Sequence, residues 1–323
     1  MTSQQRIPII VSGAYGRMGS AIIRLASERQ DFEIVGLLER PERIKERPPM
    51  TIRGKEIPLV SDLKELHSPA GTVLIEFTTP AATRTHASLA SQHNLKLVSG
   101  TTGLSDTDLA ALHDAARTTA VLWASNMSLG VTVLTALVEQ LARRLQHFDI
   151  EIVEMHHRLK RDAPSGTALT LAQAAARGRA LSLEEAARFG RKGMVGPRHA
   201  EEIGIHAVRG GDVVGDHTVI FAGEGERVEI THRAHSRDTF AAGALEAARF
   251  LADKSRGFYS MRDVATVRYA IGISMAIQLL IGGSVMLLGL GMRGLFPVLP
   301  SPDQASSVMA ATVMSPLAGS LFL

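Results

Sequence analysis

The 323-residue chain has no cysteine. That excludes disulfides, thiolate metal sites and cysteine nucleophiles, and it is compatible with a reducing cytoplasm. Aromatic residues are scarce at 4%, with a single tryptophan, so Leu, Ile, Val and Ala must fill the interior. Neither sign of charge dominates, since 35 Lys and Arg face 32 Asp and Glu for a formal net charge of +3. Without a long basic run or basic residues interleaved with aromatics, nucleic acid is not an expected partner. No HExxH-type spacing is present, so no metal is expected. The opening MTSQQRIPII lacks the apolar core and small-residue cleavage site of a signal peptide. No internal repeat is found. The length fits two modest domains, or one domain with extensions.

What is present begins with a strand–turn–helix pattern. IPIIVS (7–12) is a short run rich in β-branched residues, which reads as a buried parallel strand. GAYGRMG follows, then a helix carrying Ile22, Ile23, Leu25 and Ala26, then FEIVGLLE as a second strand ending at Glu39. This is the size of one βαβ unit. Residues 41–58 carry four prolines and many charges and read as a surface excursion. A strand at 72–78, a strand and loop at 95–103 and a strand at 120–126 alternate with helices near 80–93 and 106–118, which predicts a Rossmann-like, doubly wound parallel sheet. After a long helix at 129–147 the pattern changes. Residues 149–157 alternate like a half-solvated strand. Residues 203–234 alternate between Gly-rich turns and read as an antiparallel sheet. A last helix spans about 238–253. The expected fold class is therefore α/β, with a second α+β domain built on a mostly antiparallel sheet and a hydrophobic C-terminal extension. The expected division is 1–127 with 235–263 as one part, 128–234 as a second, and 264–323 as a tail.

Gly13, Ala14, Tyr15, Gly16, Arg17, Met18 and Gly19 form the turn between the first strand and helix. Glycines there allow a tight turn and close approach to a pyrophosphate, and the helix N-terminus offers N–H groups to the anion. The spacing is GxxGxxG rather than GxGxxG, and glycine turns also arise simply to pack helix on strand. Glu39, 20 residues beyond Gly19, is placed to bind ribose hydroxyls. Arg40 beside it could meet a 2′-phosphate, which leaves NADH and NADPH both open. Phe77, Thr78, Thr79 and Pro80 end the third strand, and Gly100, Thr101, Thr102 and Gly103 end the fourth. Both loops lie at the sheet edge where ligands bind, although ordinary turn chemistry also accounts for them. Ser125, Asn126 and Met127 end the fifth strand, where backbone groups could fix a nicotinamide amide.

The segment EMHHRLKRDAPSGTA (154–168) is the most informative. Five basic or imidazole side chains lie between His156 and Arg161, and Ser165, Gly166 and Thr167 open a new helix. Ser or Thr can cap such a start. Alternatively, its N–H groups and the nearby cations can hold an anionic, dicarboxylate substrate. A solvated charged loop is the competing reading. Adjacent His156 and His157 on a strand would point to opposite faces, which argues against a shared metal.

The glycine turn at 13–19, the Gly-Thr-Thr-Gly loop at 100–103, the histidine-rich motif at 156–168 and RGGDVVGDHT at 209–218 occur in this order. Together they resemble the 4-hydroxy-tetrahydrodipicolinate reductase (dihydrodipicolinate reductase) family over about residues 6–263. The resemblance implies NADH- or NADPH-dependent reduction in lysine and diaminopimelate biosynthesis, on a substrate that loses water to give tetrahydrodipicolinate. It implies His156 as proton donor, Lys160 as a second acid and substrate-binding group, and His157, Gly166 and Thr167 at the substrate, with Ser165 beside them. It places Gly13, Arg17, Met18, Glu39, Arg40, Gly100, Thr102, Ser125 and Met127 at the coenzyme. It also implies a cytoplasmic homotetramer joined through the second domain's sheet. Alternatives are another two-domain nicotinamide dehydrogenase, such as one acting on amino acids, and a non-catalytic NAD(P)-binding sensor.

The chain departs from the family pattern after about residue 263. Residues 269–292 are 24 consecutive residues without a charge, long enough to cross a bilayer core. A membrane anchor, an interface helix and a fusion or frame error are the three readings of this segment.

Overall fold

The computed structural model describes residues 6–47 and 49–266. The 269–292 run lies outside them. Among the described residues, no helix is long and apolar enough to cross a membrane.

Strand β1 (Ile7–Ser12) leads through the glycine turn into α1 (Arg17–Glu28) and β2 (Phe32–Leu38). Ile22, Ile23 and Ala26 share one face of α1 and are buried against the sheet, as the helical period requires. The proline-rich excursion is more ordered than its composition suggests. It holds α2 (Pro41–Glu46), a hairpin of β3 (Met50–Ile52) and β4 (Lys55–Ile57), and β5 (Leu59–Val60). The hairpin turns on Arg53 and Gly54, both at positive φ, as a tight two-residue β-turn requires. Then come β6 (Val73–Glu76), α3 (Pro80–Gln92), β7 (Lys96–Ser99), α4 (Asp106–Ala115) and β8 (Ala120–Trp123). Ser and Thr caps fix the starts of the later helices: Thr79 bonds Ala82 N–H, and Ser105 bonds Asp108 N–H within a capping box.

After α5 (Leu129–Arg144) and β9 (Asp149–His156) the chain forms α6 (Gly166–Arg179), α7 (Leu183–Ala186), β10 (Ala187–Phe189), β11 (Ile203–Arg209), β12 (Gly215–Ala222) and β13 (Arg227–Ala234). It closes with α8 (Asp238–Ala252) and β14 (Gly257–Tyr259).

The larger sheet has the order β14-β8-β7-β6-β1-β2-β5, and every neighbouring pair in it is parallel. Chain direction across the sheet reverses between β1 and β6, and the crevice above such a switch point is where open α/β sheets take ligands. The smaller sheet has the order β10-β11-β9-β12-β13. Its β12 and β13 are antiparallel, as read from the alternation, but β11 runs parallel to β9. The reason is the crossover: α6 separates β9 from β11, and a helical crossover returns the next strand parallel. The sheet is therefore mixed. Strand β9 alternates between half-buried and buried residues along its length, so one face meets α5 and α6 through Ile150 and Ile152. Helix α8 then packs on α1 through Ala241, Ala244, Ala247 and Ala248, and β14 pairs with β8. The chain thus rejoins the first sheet after building the second.

Candidate active site

The glycine turn sits at the C-terminal end of β1, beside the switch point. Gly13 has φ of +74°, and a Cβ at Gly19 would stand 2.1 Å from the Gly13 carbonyl oxygen. Helix and turn can approach this closely only because residue 19 has no side chain. The N-cap of α1, Gly16, supplies no side-chain bond, unlike the Ser and Thr caps of α3 to α6. Its first-turn N–H groups are therefore left for an external acceptor. These features fit a dinucleotide pyrophosphate. A Gly19→Ala substitution must push Gly13 aside, and we expect it to weaken coenzyme binding by about tenfold or more, with a loss of stability of about 1–3 kcal/mol. Titration with NADH and a thermal melt check both.

Glu39 is held by backbone N–H groups: Oε2 accepts from Tyr15 N–H at 3.0 Å and Oε1 from Arg40 N–H at 3.0 Å. Arg17 and Arg40 are exposed and Met18 half-buried. Arg43 donates to the Tyr15 carbonyl at 3.2 Å. The loops after β6 and β7 are tied together where Thr78 N–H donates to Thr101 Oγ1 at 3.0 Å. Phe77 lies against Gly100, where a Cβ would strike its ring at 2.0 Å. Thr102 is exposed. Beyond β8, Ser125 is exposed, whereas Met127 is buried in the core at 1% exposure, with its carbonyl packed against Gly243 of α8. Asn126 bridges the two halves: its Nδ2 donates to Thr167 Oγ1 at 2.9 Å, and its Oδ1 accepts from Ser128 N–H at 2.8 Å.

That bridge places the end of β8 beside the start of α6, where the second group of residues gathers. His156 is buried at the end of β9, with Nδ1 2.5 Å from Glu154 Oε2. Glu154 is fully buried and also accepts from Arg209 Nη1 and Nη2, at 2.8 and 2.9 Å, and from Ser165 N–H at 3.1 Å. Burial alone would raise the Glu154 pKa, but the bonds from Arg209 and His156 hold it below the ordinary carboxylate range. Ser165 caps α6 by accepting from Ala168 N–H at 3.1 Å, and its hydroxyl lies 3.1 Å from His217 Nε2. The N–H groups of Gly166 and Thr167, in the first turn, remain available to an anion. Arg209 also donates to the Asp162 carbonyl at 2.7 Å, holding the loop that carries Lys160. Lys160 Nζ lies 2.9 Å from both oxygens of Asp162. His157 is half-buried, Arg158 and Leu159 are exposed, and the Ala163–Pro164 bond is cis.

Burial is the first cause that lowers the His156 pKa. Glu154 raises it in part, and the charges of Lys160 and Arg209 lower it again. His217, its T-shaped neighbour at 5.2 Å, is lowered to about 4 by burial and by His156. A histidine with a depressed folded-state pKa contributes stability above its ordinary value near 6.5. That contribution is lost as pH falls toward the folded value. The melting temperature should therefore fall between about pH 6.5 and pH 4, and a His217→Gln variant should flatten that dependence in calorimetry.

Sequence reasoning assigned no role to Glu154, Arg209 or His217. The alternation of β9 contained one signal, since Glu154 shares the inward face with His156. Among the described residues, no group of His, Asp and Glu could hold a metal ion.

A site with a glycine-lined anion turn and a second cradle of imidazole, lysine and helix N–H groups fits a two-ligand oxidoreductase. Family profiles for the dihydrodipicolinate reductase N-terminus and C-terminus match residues 7–127 and 130–265. A 4-hydroxy-tetrahydrodipicolinate reductase of Nitrosomonas eutropha is 44% identical over 263 residues, covering 80% of this chain and 98% of that one. The chain belongs to the dihydrodipicolinate reductase family. A reductase of the same name from Rhodopseudomonas palustris is 48% identical over 261 residues, 79% of this chain and 95% of its own. In fold, the chain is similar to a dihydrodipicolinate reductase from Paenisporosarcina sp. TG-14. That likeness has a TM-score of 0.65 at 23% identity and covers 79% of this chain and 98% of that one. The family profiles end at residue 265, short of the uncharged 269–292 run. A dihydrodipicolinate reductase uses NADH or NADPH, which agrees with the turn at 13–19 and with Glu39.

Proposed function

We propose that the chain reduces 4-hydroxy-tetrahydrodipicolinate, after loss of water, to tetrahydrodipicolinate with NADH or NADPH in lysine and diaminopimelate biosynthesis. The observation that carries this reading is the buried His156–Glu154 contact of 2.5 Å beside the open N-terminus of α6. The reduced nicotinamide, when bound, supplies the hydride. The chain's residues must then supply a proton and hold two carboxylates.

Glu154 takes the Nδ1 proton of His156 in hydrogen bonding, so Nε2 is the nitrogen that gives a proton to the reacting substrate. Burial holds His156 below the ordinary imidazole range. A dianionic substrate nearby favours the charged imidazole, so protonation follows substrate binding. Gly166 and Thr167 N–H groups, with Ser165 shaping the turn, would hold one carboxylate. His157 and Lys160 would meet the other, Lys160 exchanging Asp162 for the ligand and acting as a second acid. The Paenisporosarcina protein is described as dipicolinate-bound, which supports a cradle for a small cyclic dicarboxylate.

At the coenzyme, Gly13, Tyr15, Gly16, Arg17, Met18 and Gly19 would carry the pyrophosphate, and Glu39 and Arg40 the adenosine ribose. Phe77, Thr78, Gly100, Thr101 and Thr102, with the backbone of Ser125, Asn126 and Met127, would line the nicotinamide end. Residues 1–127 with 235–263 would act as the coenzyme lobe and 128–234 as the substrate lobe. We place the enzyme in the cytoplasm, where its coenzyme pool lies, as a homotetramer. Exposed Phe189, Met194, Val195, Val208 and Val228 in the second half are the apolar surface that assembly would cover, and light scattering reads the mass.

Purified protein given freshly made synthase product should oxidise NADH or NADPH in a substrate-dependent manner. Coenzyme binding without oxidation would indicate a sensor, and oxidation driven by an amino-acid substrate another dehydrogenase.

A further inference from the structure

One buried carboxylate has no part in the chemistry above. Glu76 ends β6 with no exposed surface, directly beneath the crevice. An unpaired carboxylate there would be costly, so its partners define what it does. Thr78 Oγ1 donates to Oε2 at 2.5 Å and Thr101 Oγ1 to Oε2 at 2.9 Å. Thr83 Oγ1 donates to Oε1 at 2.8 Å, and Ser99 Oγ also donates to Oε1. His86 Nδ1 stands 3.9 Å from Oε2, beyond hydrogen-bond reach but near enough for its charge to matter. His86 Nε2 is 3.4 Å from Ser12 Oγ, at the end of β1. Burial would raise the Glu76 pKa, but His86 and the hydroxyls of Ser99 and Thr78 hold it below the ordinary range.

The donors come from four places: α3, the end of β7, and the two loops after β6 and β7. The loop bonds form a closed circuit. Thr101 donates its one hydroxyl proton to Glu76 and accepts Thr78 N–H on a lone pair, and Thr78 gives its own hydroxyl proton to the same carboxylate. With both hydroxyl protons turned inward, the loops are held to each other through one anion.

We propose that Glu76 is a positioning residue for coenzyme binding: its buried carboxylate ties the 77–79 loop to the 100–103 loop and holds both in the shape that receives the dinucleotide. The proposal rests on the assignment of that sheet edge to the coenzyme. A carboxylate suits the task because it accepts four hydroxyl donors at once and donates nothing. Glutamine keeps the shape but puts an NH2 group in place of one oxygen, so two of the four hydroxyl donors lose their acceptor, and the uncharged amide oxygen holds the other two more weakly than the anion does.

The test is NADH and NADPH affinity measured directly by fluorescence, alongside steady-state kinetics with the coenzyme that binds more tightly, for wild type, Glu76→Gln, Thr101→Val and Thr83→Val. Thr83→Val removes only the α3 donor and leaves the loop circuit intact. The proposal expects Glu76→Gln to raise the coenzyme Kd and KM by about tenfold or more, with kcat at saturating coenzyme and the KM for the dicarboxylate near wild type. Thr101→Val should follow in the same direction, and Thr83→Val should stay within about twofold. A general packing role would instead lower the melting temperature of all three variants without this split. A Glu76→Gln protein whose coenzyme Kd stays within about twofold of wild type overturns the proposal. If that variant does not fold, an unchanged Kd in Thr101→Val overturns it equally. Wild type that binds neither NADH nor NADPH would remove the coenzyme-edge assignment itself, and the proposal with it.

Discussion

His156→Gln should lower kcat by about a hundredfold to ten-thousandfold, the usual contribution of a positioned general acid, while the coenzyme Kd stays near wild type. Glutamine fills nearly the same volume and can still bond Glu154, so the pocket keeps its shape, but the side chain holds no transferable proton near neutral pH. Lys160→Ala should also lower turnover strongly, and it should raise the KM for the dicarboxylate, because Lys160 is both a charge for the substrate and the partner of Asp162. Coenzyme affinity should be unaffected in both variants, because the glycine turn and Glu39 belong to the first sheet and neither variant touches them. Equal loss of coenzyme binding in either variant would mean that the two cradles are not separate sites. Steady-state kinetics with both substrates varied, together with direct NADH titration, separates these outcomes.

The first of these cradles was legible in the chain almost residue by residue. A buried β-branched strand, a glycine turn, an amphipathic helix and a second strand ending in Glu39 follow one another locally, and each step is a short-range signal. The structure supplies the reason for the unusual GxxGxxG spacing: Gly19, three residues after Gly16, is where α1 crosses the Gly13 carbonyl. Less was legible where contacts join distant segments. The parallel placement of β11 beside β9 depends on α6 acting as a crossover, and local alternation reports only that a strand is half-buried, not which neighbour it takes. The same applies to Glu154 and Arg209, 55 residues apart in sequence, and to Glu76, whose hydroxyl partners come from four segments. An isolated Glu at a strand end carries no mark of the company it keeps after folding. The 41–58 stretch lies at the surface as its composition indicates, but its short elements were not legible: prolines flag turns, yet Pro41 begins a helix at the first position, where a missing N–H costs nothing.

The opposed influences on His156 lead to a second large effect, one of direction as well as size. Glu154 favours the charged imidazole, whereas Arg209, bound to the same carboxylate, disfavours it. If His156 gives the proton, activity requires its protonated form and declines as pH rises through its pKa. Removing the carboxylate charge with Glu154→Gln takes away the influence that raises that pKa, so the decline should begin at lower pH, and kcat/KM on the alkaline side should fall by about tenfold or more. Arg209→Met does the reverse: it removes a neighbouring positive charge, and the decline should move to higher pH. That variant should also be the less stable of the two, by about 3 kcal/mol relative to wild type. It leaves a buried carboxylate without its bidentate partner, although partial solvent access at Arg209 places the cost at the lower end of that range. It should further raise the substrate KM, because Arg209 holds the Asp162 carbonyl and so the loop bearing Lys160. The pH dependence of kcat/KM for wild type and both variants decides the matter. Two variants of one ion pair that move the alkaline limb in opposite directions identify the imidazole between them as the titrating acid. Movement in the same direction, or none, would assign the proton to another group.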